Sequence, residues 1–171
     1  MTPLPQHLTS QQVSHYLKAI SDVRDRAIVL LFLTTGVFLN EIVDITIHDI
    51  NWEKRLVHIG GNRKRDIPLN NQAFEALAQW SKERITTSES TFFLTTKGKV
   101  SGLTSRGVDT MLRKYAKQAG LSEPVNAHIL RNTFAIRLFE EQPNLSTKKA
   151  KELLGIKDTE SLNRYRIRDE E

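Results

Sequence analysis

His128 to Ala135 reads HILRNTFA, and Leu153 to Tyr165 reads LLGIKDTESLNRY. The first stretch opens a helix expected from Ala127 to about Glu141. Residues three apart share a helical face, so His128 and Arg131 are placed to point at one phosphate. Arginine brings a fixed fork of donors for the nonbridging oxygens, histidine carries a proton near neutral pH, and the phenol of Tyr165 is a nucleophile for phosphorus. The start of the helix adds free amides and a positive dipole end. His-x-x-Arg by itself is a weak signal, because polar pairs at this spacing are usually solvated or structural.

The elements around it are mostly helical. Thr9 and Gln12 form a capping box, with Leu8 and Val13 as a hydrophobic staple, so a helix starts near Ser10 with Val13, Tyr16, Leu17 and Ile20 on its core side. A strongly apolar helix from about Asp22 to Thr35 ends at Gly36 and marks the core. Asn40 to Asp44 reads as a short helix. Leu56–Ile59 and Arg65–Leu69 read as a hairpin around Gly60, Gly61 and Asn62. Asn71 is expected to cap a helix to about Arg84, Thr91 to Thr95 to add a short strand, and Thr104 to cap a helix stopping at Gly120. Pro143 ends the helix of His128, Ser146 caps the next, Gly155 closes it, and a last short helix is expected to carry Tyr165. The fold class is mainly α with a small antiparallel β-hairpin, α+β, in a single domain over residues 1–171.

Four segments in this order resemble the tyrosine recombinase, or phage integrase, family. HILRNTFA is similar to its H-x-L-R-H-T-F-A, and LLGIKDTESLNRY to its L-L-G-H-x-x-x-x-T-x-x-Y. Thr35 to Ile42, TGVFLNEI, resembles T-G-L-R-x-x-E-L, and Ile59 to Leu69, IGGNRKRDIPL, resembles G-x-G-N-K-x-R-x-V-P-L. The resemblance implies the family's catalytic-domain fold. It also implies cleavage of double-stranded DNA through a 3′-phosphotyrosyl link, with arginines holding phosphate charge, a lysine protonating the departing 5′ oxygen, and no metal or other cofactor.

Only Tyr165 (the nucleophile position), His128 and Arg131 stand in the family's form. Phe38 falls where its first arginine stands, Arg63 on the lysine, Ile156 on the histidine or tryptophan after Leu-Gly, and Asn132 on the histidine after the second arginine. Arginine is a poor general acid because its pKa is too high, while Lys64 next door would serve if the turn shifted by one residue. The pattern implies a degenerate active site. Tyr165 read as a packing tyrosine, Phe38 as a residue filling vacated space, and Trp52 and Trp80 as core or edge aromatics are the competing structural readings.

Charge and composition agree with an anionic partner. The net charge is +5, and Lys54, Arg55, Arg63, Lys64 and Arg65 gather around the hairpin. Lys148, Lys149, Lys151, Lys157, Arg164, Arg166 and Arg168 crowd the C-terminal part. Such patches neutralise phosphates and release counterions, with Arg131, Arg63, Lys64, Arg65, Lys148 and Lys149 as the expected DNA contacts. With 39% hydrophobic residues the chain can bury a core, and the absence of cysteine excludes thiolate chemistry and Cys-based zinc sites. No apolar run approaches the roughly 20 residues of a membrane span, and no secretory signal opens the chain. A cytoplasmic protein, nucleoid-associated if bacterial, is the expectation.

Family members carry a helical DNA-clamping domain ahead of this one, and only Met1 to Leu8 precedes it here, so the clamp is expected to be absent. They also continue past the tyrosine with a helix that docks on a neighbouring subunit, whereas this chain stops at Glu171. Three readings follow. The chain is a DNA-binding protein of recombination or integration, of a mobile element, impaired in strand cleavage and working as a homo-oligomer or beside a full-length recombinase. Alternatively it is an active, atypical recombinase cutting through Tyr165, or a protein-interaction domain that has lost DNA binding.

Overall fold

The computed structural model describes residues 3–166; Arg168 of the basic C-terminal group lies outside the described residues. Helix α1 (Ser10–Lys18) begins with the expected reciprocal cap: the Thr9 hydroxyl accepts the Gln12 N–H, and the Gln12 side chain accepts the Thr9 N–H. Leu8 and Val13, the staple pair, are both buried. Helix α2 (Val23–Thr35) is capped by Asp22 and closed by Gly36 at φ 66, and every residue from Ala27 to Leu33 is buried. A helix apolar on all sides belongs at the centre of a domain. Two amphipathic or mixed helices, α4 (Asn71–Glu83) and α6 (Ala127–Glu141), pack against it.

The remaining helices are α3 (Leu39–Asp44), α5 (Ser105–Gln118), α7 (Thr147–Leu154) and α8 (Thr159–Asn163). Buried polar groups tie the N-terminal half together. Asp25 accepts from Arg24 and, at 2.8 Å, from the Tyr115 hydroxyl, while the Tyr16 hydroxyl donates to the Leu112 carbonyl at 2.9 Å. Each of these groups is hydrogen-bonded, as burial requires. A smaller apolar cluster joins the C-terminal half of α6 to α7 and α8, through Ile136, Phe139, Leu154, Leu162 and Tyr165.

The sheet has three antiparallel strands in the order β1 (Ile50–Asn51), β2 (Leu56–Ile59) and β3 (Arg65–Pro68). Val57 pairs with Ile67 on the buried face, and His58 pairs with Asp66 on the exposed face, where the two side chains meet at 2.7 Å. This alternation sets the register, since a slip by one residue would turn Val57 and Ile67 to water. The mostly α class with a small antiparallel sheet is confirmed.

Four local expectations are corrected. A third strand, β1, is present that two residues are too few to announce. Thr91 to Thr95 forms no strand, only isolated bridges from Thr46 to Thr91 and from Leu94 to Gly102. The cap of α4 is Asn70, whose side chain accepts the Ala73 N–H, and not its neighbour Asn71. Tyr165 lies in the turn after α8 rather than on it. The two tryptophans divide as core and edge: Trp80 is buried with its indole N–H on the Phe92 carbonyl, and Trp52 is exposed against Phe74 and Phe92. Among the described residues no helix is long and apolar enough to cross a membrane.

Candidate functional site

Three motif segments meet where α2, α6 and α7 end or begin. The left-handed turn at Gly36 swings the chain from α2 into α3 and turns its carbonyl toward α6. A methyl group at Gly36 would stand 2.4 Å from Cδ1 of Phe134, so the close approach of α6 also requires glycine there. Arg131, on the first turns of α6, donates from Nη1 to the Gly36 carbonyl and from Nη2 to the Leu154 carbonyl at 2.7 Å. Leu154 is the last residue of α7, so one guanidinium satisfies backbone acceptors at the ends of two helices. Arg131 is only 2% exposed. Burial, with repulsion from Arg65 and Arg63, pushes its pKa down to about 10 against the opposing pull of Tyr165 and Glu41, leaving it charged at neutral pH.

Phe38 is half-buried beside it. Its ring centroid lies 3.7 Å from Cζ of Arg131 and 4.4 Å from Cζ of Arg63, both cation–π distances. Phe38 therefore occupies more than vacated space: it faces two guanidinium groups. Glu41 fixes this corner, accepting the Phe38 N–H at 2.9 Å and so capping α3. A cavity of about 340 Å³ is lined by Phe38, Arg63, Arg131, Ile156, Lys157 and Arg164. Three of the four site positions that differ from the family motifs, Phe38, Arg63 and Ile156, thus line one cavity with Arg131.

His128 is exposed and lies in an adjoining cavity of about 330 Å³ that it shares with Arg131 and Phe38. Its pKa is lowered, first by partial burial and then by the charges of Arg164 and Arg131, so the neutral imidazole is favoured. Asn126, a residue the sequence reading passed over, caps α6 by accepting the Ile129 N–H at 2.9 Å. The signal was present, since asparagine just before a helix start is a preferred cap.

Tyr165 is wholly buried and does not line the cavity. Its hydroxyl donates to Oδ1 of Asn132 at 3.1 Å and accepts from Nη2 of Arg164 at 2.7 Å. Asn132 in turn donates to the Gln6 carbonyl at 3.0 Å, which ties the tyrosine to the N-terminal segment. Two side chains thus hold the Tyr165 hydroxyl.

The basic residues of the hairpin divide. Arg65 gives Nη1 and Nη2 to Glu41 at 2.8 and 2.9 Å and Nε to the Leu153 carbonyl, so the guanidinium expected on DNA fastens the hairpin to α3 and α7. Arg63 and Lys64 are exposed, and they face Lys148, Lys151 and Lys157 across a groove of about 480 Å³. Lys64 lines this groove and not the cavity of Arg131. Lys149 is exposed outside the groove lining. Among the described residues no group of three or more His, Asp or Glu side chains is placed to hold a metal ion.

Known proteins resemble this chain over nearly its whole length. The model of the phage integrase family matches residues 6–171. Tyrosine recombinase XerC of Shewanella sp. strain ANA-3 is 29% identical over 171 residues, covering 95% of this chain and 56% of its own length. The chain thus spans about half the length of the curated relatives it matches. Among solved structures, XerA recombinase superposes with a TM-score of 0.86 at 20% identity, over 98% of this chain and 62% of that one. The XerH site-specific recombinase in its post-cleavage complex with palindromic difH substrate superposes with a TM-score of 0.78 at 24% identity, over 95% and 50%. These superpositions establish the fold.

Proposed function

Because the chain belongs to the phage integrase family of tyrosine recombinases, we propose that it binds double-stranded DNA in site-specific recombination or integration and is impaired in strand cleavage. The observation that carries this reading is Phe38: a ring stands where the family places its first arginine, and it faces the guanidinium of Arg131 at 3.7 Å. A ring offers no N–H to a phosphate oxygen. Losing one preorganised donor of transition-state charge costs on the order of 100 to 1,000 fold in rate. Arg63 keeps the charge at the lysine position without a proton it can readily give, and Ile156 adds no donor at all. Such losses act on one transition state and need not multiply.

DNA binding is supported by the basic groove between the hairpin and α7, where Arg63, Lys64, Lys148, Lys151 and Lys157 face one another. Groups that grip phosphate carry affinity without sequence information. XerH was solved on its difH substrate, and a Tn1549 transposon integrase on circular intermediate DNA. In this reading residues 1–171 form one domain, acting in the cytoplasm as a homo-oligomer or beside a full-length recombinase, with no metal or other cofactor.

The second reading, an active atypical recombinase, is favoured by one contact: Arg164 donates to the Tyr165 hydroxyl, as a group stabilising a phenolate would. In that reaction the Tyr165 oxygen bonds to phosphorus and loses its proton, while the departing 5′ oxygen takes one. A pool of nicked duplexes, scored for retained DNA and for denaturant-resistant adduct with Tyr165→Phe as control, separates the readings. Retained DNA without adduct is the expected result. An adduct lost in Tyr165→Phe establishes cleavage, and no retained DNA removes the DNA-binding reading.

A further inference from the structure

Resting on the DNA-phosphate reading of this surface, we propose that Arg164 is a further phosphate-binding residue, which exchanges its bond to the Tyr165 hydroxyl for the bound phosphate. Arg164 is exposed, lines the cavity shared with Arg131, Arg63 and Phe38, and reaches the Tyr165 oxygen with Nη2 at 2.7 Å. Its Cζ lies 4.8 Å from the centroid of the Tyr165 ring. One side chain therefore touches both the open cavity and the one phenol buried behind it.

The cavity needs such a donor. Phe38 brings none, and two of the five N–H donors of Arg131 are held by the Gly36 and Leu154 carbonyls. Arg63 and Arg164 line the same cavity and bring further guanidinium donors to a phosphate there. A guanidinium carries five N–H donors in a planar fork, matched to two oxygens of a phosphate. A phosphate meets the guanidinium with full opposite charge and two acceptor oxygens at once, whereas the neutral phenol accepts a single bond, so an anionic oxygen displaces the phenol. The depressed pKa of His128, caused in part by Arg164, agrees with a cation on that side of the cavity.

The exchange has a consequence for Tyr165. With Arg164 on phosphate, the phenol keeps its donation to Asn132 and loses the bond its oxygen accepts. Occupancy of the cavity is thereby reported to the buried tyrosine through a single side chain.

The test uses the full chain with carbon-13 at the ζ position of its three tyrosines, Tyr165 being assigned by Tyr165→Phe. Titration with inorganic phosphate is expected to move the Tyr165 signal saturably in the parent, less in Arg164→Lys, and not in Arg164→Gln. The Tyr16 and Tyr115 signals, from buried core residues, show that each variant is folded. A still signal in the parent, or an equal response in Arg164→Gln, overturns the proposal. In parallel, duplex binding by Arg164→Gln is expected to show a log–log salt slope shallower by about one. An unchanged slope in a parent that binds duplex overturns the proposal. A saturable phosphate response in a parent that binds no duplex instead sinks the DNA reading and leaves the Arg164 phosphate site standing.

Discussion

The guanidinium of Arg131 stands 3.7 Å over the ring of Phe38. The family pattern would put a second arginine in that place, and the ring replaces mutual repulsion with attraction between a cation and a π face. Arg131 is thereby held charged in a nearly water-free place, with its terminal nitrogens on two helix-end carbonyls.

Phe38→Arg removes that attraction and sets two like charges together. It is expected to lower stability by about 1 to 2 kcal/mol at low salt, with part of the loss recovered in phosphate buffer, as read from urea melts. Combined with Arg63→Lys, it is expected to raise covalent adduct on nicked duplex above the parent. A Phe38→Arg protein as stable as the parent, with or without phosphate, contradicts this account of the ring.

Glu41→Gln leaves the Arg65 guanidinium without its carboxylate, in a pair whose side chains are 7% and 6% exposed. Breaking a buried pair from one side costs about 3 to 5 kcal/mol, so a loss near the lower figure is expected in urea denaturation. Amide exchange should quicken in β2 and β3, which Arg65 fastens to α3. The double variant Glu41→Gln with Arg65→Met is expected to recover part of the loss, since no buried charge then lacks a partner.

Gly36→Ala meets two obstacles at once, a φ of 66° and a contact of 2.4 Å with Phe134. About 1 kcal/mol for the backbone and about 1 to 3 for the overpacking give an expected loss of roughly 2 to 4 kcal/mol. Gly61→Ala is the control, because its φ is also positive while nothing lies within 4 Å of the added carbon. Equal losses in the two would show that the Phe134 contact does not matter.

His128 contributes a pH dependence of known sign. Its folded pKa lies below the usual 6.5, so the unfolded chain binds its proton more readily. The stability tied to this group is present above the unfolded value and is lost as pH falls through the lowered folded value. Melting curves of the parent and His128→Gln are expected to converge from pH 7 downward, the parent losing its relative advantage in the acid range. Parallel curves would show that the imidazole is not disfavoured as a cation.

Features that depend on neighbours in the chain were legible in the sequence. Thr9 with Gln12, Thr104 and Ser146 each cap a helix, because a short polar side chain reaches an amide three residues on. Gly36 and Gly155 both end helices with positive φ, a conformation that glycine enters without strain. The order of four motifs was enough to indicate the family and the class of fold. Tertiary structure alone decided what the functional side chains touch. Arg131 bonds a carbonyl 95 residues away, Arg65 a carboxylate 24 away, and Tyr165 an amide 33 away. Such partners are chosen by the way helices pack around α2, which no local spacing records. For that reason the sequence shows Arg65 only as one basic residue of the hairpin, while the fold sets it on Glu41 and sets Arg164 between the cavity and Tyr165.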